Sequence, residues 1–200
     1  MSQSPMKLST AIALKGERSQ DRVVTLERDD VVVIVVADGA GGRPGGEAAA
    51  DAFVSAAVAW LERARDWFDV RALSDVFTDV DAALWRASGG ETTGVVVVVA
   101  SYALAGVSAG DSEAWAIAAE RIDRLTSSQD RSRVGSSRVR PVVFHRRALE
   151  GTLVVATDGL FRHADATVIA RSCASAEDLV RLPRLASGVY PDDVAVAVVR

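Results

Sequence analysis

The residues best placed to do chemistry are three aspartates, each at the edge of a valine-rich segment. Asp38 closes Val31-Val32-Val33-Ile34-Val35-Val36-Ala37, Asp158 follows Leu153-Val154-Val155-Ala156-Thr157, and Asp192 opens Asp192-Asp193-Val194-Ala195-Val196-Ala197-Val198. A carboxylate left unpaired beside an apolar core costs several kcal/mol or takes up a proton, so carboxylates that converge on buried strands need a counter-charge. The pattern therefore predicts a cation site built on strand ends. Asp38 also opens a glycine-rich turn, Asp38-Gly39-Ala40-Gly41-Gly42-Arg43-Pro44-Gly45-Gly46-Glu47. It is not a nucleotide-phosphate loop. A dinucleotide fingerprint starting at Gly39 needs glycine where Pro44 stands, and the Gly-Lys-Ser/Thr of a Walker loop is missing. A glycine turn does let backbone come close to an ion, which makes the Gly39 carbonyl a candidate ligand.

The elements that must position these groups are mostly strands. Strand-like segments cover residues 7–13, 22–27, 31–37, 95–100, 103–108, 114–119, 141–145, 153–157 and 194–199. Glu27-Arg28-Asp29-Asp30 reads as a hairpin turn between two of them. Short consecutive strands predict antiparallel pairing, and unbroken valine runs predict strands covered on both faces. Residues 47–65 and 70–87 read as helices, with Ala50, Phe53, Val54, Ala57, Val58 and Leu61 at helical spacing in the first and Leu73, Val76, Phe77, Val80, Ala83 and Leu84 in the second. A further helix over residues 176–186, capped by Ser175 and broken near Pro183, is predicted to cover the other side. The expected fold class is α+β: a four-layer α/β/β/α sandwich of two antiparallel sheets flanked by helices. Residues 126–140 have no apolar periodicity and read as a mobile surface loop. Its Arg131, Arg133, Arg138 and Arg140 either sit in solvent or meet an acidic or phosphorylated partner.

Composition excludes several classes. A chain of 200 residues, 49% hydrophobic, suffices for one core, so a single domain over residues 1–200 is expected. A net charge of −4 and an isoelectric point near 5.2 give no support for nucleic acid as a partner. The single cysteine, Cys173, can form neither an internal disulfide nor a zinc cage alone, which fits a reducing, cytoplasmic setting. Residues 1–15 lack a signal-peptide core, and the uncharged stretch 94–110 is too short to span a bilayer, so no membrane association is expected. There is no Gly-x-Ser-x-Gly elbow, and His145 and His163 stand in contexts that suggest no triad.

Read in order, the motifs resemble those of the metal-dependent PP2C-type (PPM) serine/threonine phosphatases. Gly16-Glu17-Arg18-Ser19-Gln20-Asp21-Arg22 is similar to that family's Arg-x-x-Asn-Glu/Gln-Asp, and Asp38-Gly39-Ala40-Gly41-Gly42 to its Asp-Gly-x-Gly-Gly. Glu91-Thr92-Thr93-Gly94 resembles Gly-Thr-Thr-Ala, and Gly110-Asp111-Ser112 resembles Gly-Asp-Ser-Arg. Thr157-Asp158-Gly159-Leu160 resembles Ser-Asp-Gly-Leu, and Asp192-Asp193-Val194-Ala195-Val196 resembles Asp-Asn/Asp-Ile-Thr-Val. The resemblance implies two Mn²⁺ or Mg²⁺ ions at the edge of a β-sandwich, with a position that matches a weaker third. Asp38 would bridge the pair, the Gly39 carbonyl would be a ligand, and Asp158 and Asp192 would complete one ion. Asp21 would act in an outer shell or through water, and Asp111 matches the weaker third site. Oxygen-rich shells of this kind suit Mg²⁺ or Mn²⁺.

The implied activity is hydrolysis of phosphoserine and phosphothreonine in phosphoprotein substrates, opposing a serine/threonine kinase, by metal-activated water rather than a nucleophilic side chain. Several positions depart from the family pattern. Gln20 stands where many relatives carry a glutamate, Ala40 where some carry a histidine, and Glu113 where arginine is usual. Arg18 lies closer to Asp21 than the family's phosphate-binding arginine, which leaves Arg18, Lys15 and Arg22 all open for that role. The region 126–150 is a shortened flap. These departures keep one alternative in view, a weakly active or inactive domain serving as a regulatory or phosphopeptide-binding module, and the resemblance to bacterial relatives adds another, a phosphatase of a sigma-factor partner-switching circuit.

Overall fold

Two five-stranded antiparallel sheets stack face to face, and helices cover both outer faces. The computed structural model describes residues 6–40, 45–119, 121–128 and 130–200. Readings that fall on Gly41, Gly42, Arg43 and Pro44 of the glycine turn, on Gln129 and on residues 1–5 lie outside the described residues. The strands are β1 (Leu8–Ala13), β2 (Asp21–Arg28), β3 (Val31–Asp38), β4 (Gly94–Ala100), β5 (Ala103–Ala109), β6 (Glu113–Ala118), β7 (Arg121–Arg124), β8 (Val142–Arg146), β9 (Thr152–Ala156) and β10 (Val194–Val199). The helices are α1 (Gly46–Arg63), α2 (Val70–Ala87), α3 (Asp158–His163), α4 (Ala166–Ser172) and α5 (Ala176–Val180). One sheet runs β1-β10-β9-β6-β7 and the other β2-β3-β4-β5-β8, giving the α/β/β/α sandwich that the sequence predicts.

The valine runs follow from this layering, because a strand in the middle of four layers needs apolar side chains on both faces. In β3, Val33, Val35 and Ala37 face α1 and α2, where they meet Phe53, Leu61, Leu73 and Phe77. The alternate residues Val32, Ile34 and Val36 enter the seam between the sheets beside Leu104, Leu153 and Val155. β10 divides the same way, with Val194, Val196 and Val198 toward α3–α5 and Ala197 and Val199 in the seam. Phe53 and Phe77 lock α1 to α2 edge to face at 4.8 Å. Truncating either fully buried ring would cost about 3–5 kcal/mol.

Two expectations change. The helix expected over residues 176–186 is only the five-residue α5, and the short α3 and α4 share the work of covering its sheet. Helices of five to seven residues are too brief to display a helical period, and their signal is in the caps: Asp165 accepts from the Thr167 and Val168 amides, and Ser175 from the Asp178 amide. Segment 126–140, expected to be a mobile loop, is instead docked. Val134 is fully buried and exchanges two backbone hydrogen bonds with Thr92, at 2.9 Å each. Asp81, buried on α2, accepts from the Gly135 and Ser137 amides at 2.7 and 3.1 Å. These anchors are mostly backbone groups, which leave no hydrophobic pattern. Strand β7 was also missed, since the four residues Arg121–Arg124 form a mostly polar edge paired only to β6.

Candidate metal centre

The acidic residues meet at one rim of the sandwich because the strands that carry them end there. Asp21 opens β2 and Asp38 closes β3, and the antiparallel register sets the two directly opposite. Asp111 sits on the link from β5 to β6, where the chain passes from one sheet to the other. Asp158 begins α3 directly after β9, and Asp192 precedes β10. A cavity of about 170 Å³ is lined by Asp21, Asp38, Gly39, Asp158, Asp192 and Asp193, together with Gln20, Arg133 and Arg162. One carboxylate oxygen from each of Asp38, Asp111 and Asp158 lies within 4.8 Å of the other two.

Buried hydroxyls and close backbone approaches hold this geometry. The Asp38 carbonyl accepts from the Thr93 amide at 2.8 Å and the Thr92 hydroxyl at 2.9 Å, and the Asp38 amide donates to Thr93 Oγ1 at 3.0 Å. Thr93 Oγ1 in turn bonds Ser112 Oγ at 2.6 Å, which ties Asp38 to the segment that carries Asp111. The carboxylate of Asp193 accepts from the Lys15 and Gln20 amides at 2.7 and 2.9 Å, clasping the β1–β2 link to the start of β10. That leaves Asp192 as the member of the pair with the freer carboxylate. Gly159 is required where it stands, since a Cβ there would lie 2.0 Å from the Asp193 carbonyl oxygen.

The electrostatics are those of a site short of positive charge. Burial, then the Asp21 and Asp158 charges, pushes the Asp38 carboxyl well above the usual carboxylate range. Burial also raises Asp21, and burial followed by Asp111 raises Asp158. Asp21 Oδ2 is buried with no hydrogen-bond partner among the described residues. What compensation exists comes from arginine. Arg162 reaches Asp111 and Asp158 at 2.8 Å each, and Arg133 stands 3.7 Å from Asp111. An all-oxygen donor set, with converging carboxylates and an orphaned buried oxygen, fits a hard divalent cation such as Mg²⁺ or Mn²⁺.

The structure brings Asp21, Asp38, Gly39, Asp158 and Asp192 to one cavity and Asp111 to the carboxylate cluster beside it. Arg18 is exposed and does not border the cavity. Arg22 is held by Asp51 at 2.6 Å and Glu47 at 3.3 Å, and Lys15 Nζ lies 4.0 Å from Asp192. Sequence reasoning did not assign Arg162 to the site, and it named Arg133 only among four loop arginines that sit in solvent or meet an acidic or phosphorylated partner. The first had a signal, because Arg162 follows Asp158 by four residues, which puts both on one helix face. Glu113 turns away to accept from the Trp115 indole N–H, and the guanidinium groups beside Asp111 are those of Arg162 and Arg133. His145 and His163 are exposed, and Cys173 is buried at the C-terminal cap of α4 with its thiol donating to the Ala170 carbonyl.

A family model described as Protein phosphatase 2C matches residues 10–184. The sequence has no match among curated proteins. Among solved structures, the chain is similar to the serine/threonine phosphatase Stp1 from Staphylococcus aureus, with a TM-score of 0.82 and 18% identity over 99% of this chain and 95% of that one. It is also similar to the S. agalactiae serine/threonine phosphatase, with a TM-score of 0.80 and 21% identity over 97% and 98% of the two chains. PppA from Pseudomonas aeruginosa, described as a key regulatory component, gives a TM-score of 0.80 and 18% identity over 98% of each chain. Identities this low speak to the fold, while the family match spans most of the sequence and takes in five of the six motifs; on that ground the chain belongs to the protein phosphatase 2C family.

Proposed function

We propose that this chain is a single-domain, Mn²⁺- or Mg²⁺-dependent phosphoprotein phosphatase that hydrolyses phosphoserine and phosphothreonine and opposes a serine/threonine kinase in the cytoplasm. The observation that carries the reading is the convergence of Asp38, Asp111 and Asp158 oxygens within 4.8 Å beside a cavity that Asp21 and Asp192 also border. Asp38, Asp158, Asp192 and the Gly39 carbonyl are the groups that would hold ions, with Asp21 and Asp111 in supporting positions. When bound, a pair of such ions supplies an acidified water as nucleophile and neutralises charge on the phosphoryl oxygens. Arg133 and Arg162, which border the same cavity, are better placed than the exposed Arg18 to orient the phosphoryl group. No helix among the described residues is long and apolar enough to cross a membrane, which is compatible with this setting.

The test is hydrolysis of an aryl phosphate by the purified chain with Mn²⁺. EDTA should abolish it, and Asp38→Asn or Asp158→Asn should lower kcat/KM by about a hundredfold or more. Turnover that survives chelation refutes the reading. A second reading, a regulatory or phosphopeptide-binding module, has one observation in its favour: Arg162 already neutralises Asp111 and Asp158. Calorimetric titration with Mn²⁺ separates the two, because the module has no need to take up a pair of ions.

A further inference from the structure

A second cavity, of about 480 Å³, opens under the docked segment 126–140, and its walls carry Arg131, Arg133, Arg138 and Arg140. Arg133 borders both this cavity and the carboxylate cavity, which makes the two neighbours. In a chain of net charge −4, this is a local excess of cations: four arginines against Glu91 and Asp130. Arg133 already stands 3.7 Å from Asp111, and the charge of the other three is largely unspent. Arg131 and Arg138 have no ion-pair partner among the described residues, and the exposed Arg140 only approaches Asp130 at 3.9 Å. The Asp130 carboxylate meanwhile accepts from the Ser132 amide at 2.7 Å.

The frame that presents these arginines is fixed in advance. Thr92 and Val134 pair through their backbones, Asp81 holds the Gly135 and Ser137 amides, and the Gly110 amide donates to the Asp130 carbonyl at 3.2 Å. Gly135 turns the segment at φ +100°, where a Cβ would lie 2.2 Å from the Gly90 carbonyl oxygen. Ser132 Oγ accepts from the Arg140 amide at 3.0 Å, closing the turn on itself. Guanidinium groups projected from such a frame lose less freedom on binding and present paired N–H donors to a carboxylate or phosphoryl group.

We infer that this arginine cavity is a subsite for an anionic side chain, a carboxylate or a second phosphoryl group, flanking the phosphoserine or phosphothreonine of the substrate. The inference rests on the phosphatase reading for the identity of the substrate and names the sequence class that substrate belongs to. A peptide whose phosphorylated residue enters the carboxylate cavity past Arg133 has its neighbours over Arg131, Arg138 and Arg140. Acidic or doubly phosphorylated segments are therefore preferred over neutral ones.

The test uses the full chain and three phosphothreonine peptides identical except for the flank: two aspartates, two alanines, or a second phosphoserine beside one alanine. Binding is read by fluorescence anisotropy in EDTA, and hydrolysis by kcat/KM with Mn²⁺, with an aryl phosphate run in parallel. The acidic peptide should bind about tenfold tighter than the alanine peptide at low salt, and the difference should shrink at high salt. The doubly phosphorylated peptide exceeding the acidic one assigns the subsite to phosphate, and the reverse assigns it to carboxylate. Arg131→Gln combined with Arg138→Gln should bring the acidic-to-alanine ratio close to one, whereas Arg131→Lys with Arg138→Lys should keep much of it. Both positions are exposed, and each ratio is taken within one variant, so a change in overall activity does not confuse the readout. Equal binding of the three peptides by the wild-type chain overturns the inference, as does a preference that persists in the glutamine variant. Failure to hydrolyse even the aryl phosphate refutes the phosphatase reading alone, because the anisotropy comparison still decides the subsite.

Discussion

Asp38→Asn should make the metal-free protein more stable at neutral pH while removing its response to metal. The Asp38 carboxyl is raised first by burial and then by Asp21 and Asp158, from an ordinary value of 3.8. A carboxyl raised in the fold contributes its full stability below the unfolded value, near pH 4, and loses that contribution as pH rises toward the folded value. At pH 7, in EDTA, the fold must therefore keep a proton on Asp38 or tolerate a crowded charge. At 1.36 kcal/mol per pH unit above 3.8, the ceiling is about 4 kcal/mol. Relaxation and water in an open cavity reduce that to about 1–2 kcal/mol. The substituted amide has the same shape, carries no charge and can donate to Asp21. For a chain of this size the gain amounts to a Tm about 2–8 °C above wild type at pH 7, shrinking to nothing near pH 4. Saturating Mn²⁺, at about 100 times its Kd, should add about 2.7 kcal/mol to the wild type and little to the variant. Differential scanning calorimetry at both pH values, with EDTA and with Mn²⁺, makes the comparison. A variant that melts below wild type in EDTA at pH 7, or that gains as much from Mn²⁺, refutes the account of Asp38 as a strained ligand.

Other outcomes follow from the same contacts. Arg162→Gln removes the guanidinium that bridges Asp111 and Asp158 at 2.8 Å, and since that side chain is half exposed, calorimetry should show Mn²⁺ affinity rising only about 3- to 10-fold; unchanged or weaker binding contradicts a competing role. Gly159→Ala places a methyl group 2.0 Å from the Asp193 carbonyl oxygen and should lower urea-unfolding stability by about 2–4 kcal/mol, an effect absent if α3 shifts freely. Asp193→Ala deletes the acceptor for the Lys15 and Gln20 amides, so stability should drop by about 1–3 kcal/mol and hydrogen exchange should quicken across residues 15–20; protection of those amides at wild-type levels sinks the clasp.

Much of the architecture was legible because the valine runs of β3, β4 and β10 can only be satisfied between layers, and because the apolar faces of α1 and α2 have a clean helical period. Strand-end position carried the carboxylates as well: Asp38, Asp158 and Asp192 stood out through the strands they terminate or precede. Three kinds of feature gave no such signal. The anchors of segment 126–140 are backbone amides on Asp81 and Thr92, which look like any serine-rich loop in the sequence. The arrival of Arg133 beside Asp111 depends on that docking and not on local spacing. Helices α3 to α5 are too short for periodicity, so only their caps announce them.

The acidic cluster draws Asp21 and Asp38 from one sheet and Asp158 and Asp192 from the strand ends of the other, with Asp111 on the crossing between them. Apolar side chains glued in the seam resist separation of the sheets but offer little directional resistance to shear. Mutually repelling carboxylates at the lip work against closure of that seam, and a captured ion would rivet it shut. On the phosphatase reading, chelation would reach beyond chemistry, loosening the slip plane of the sandwich from its rim inward.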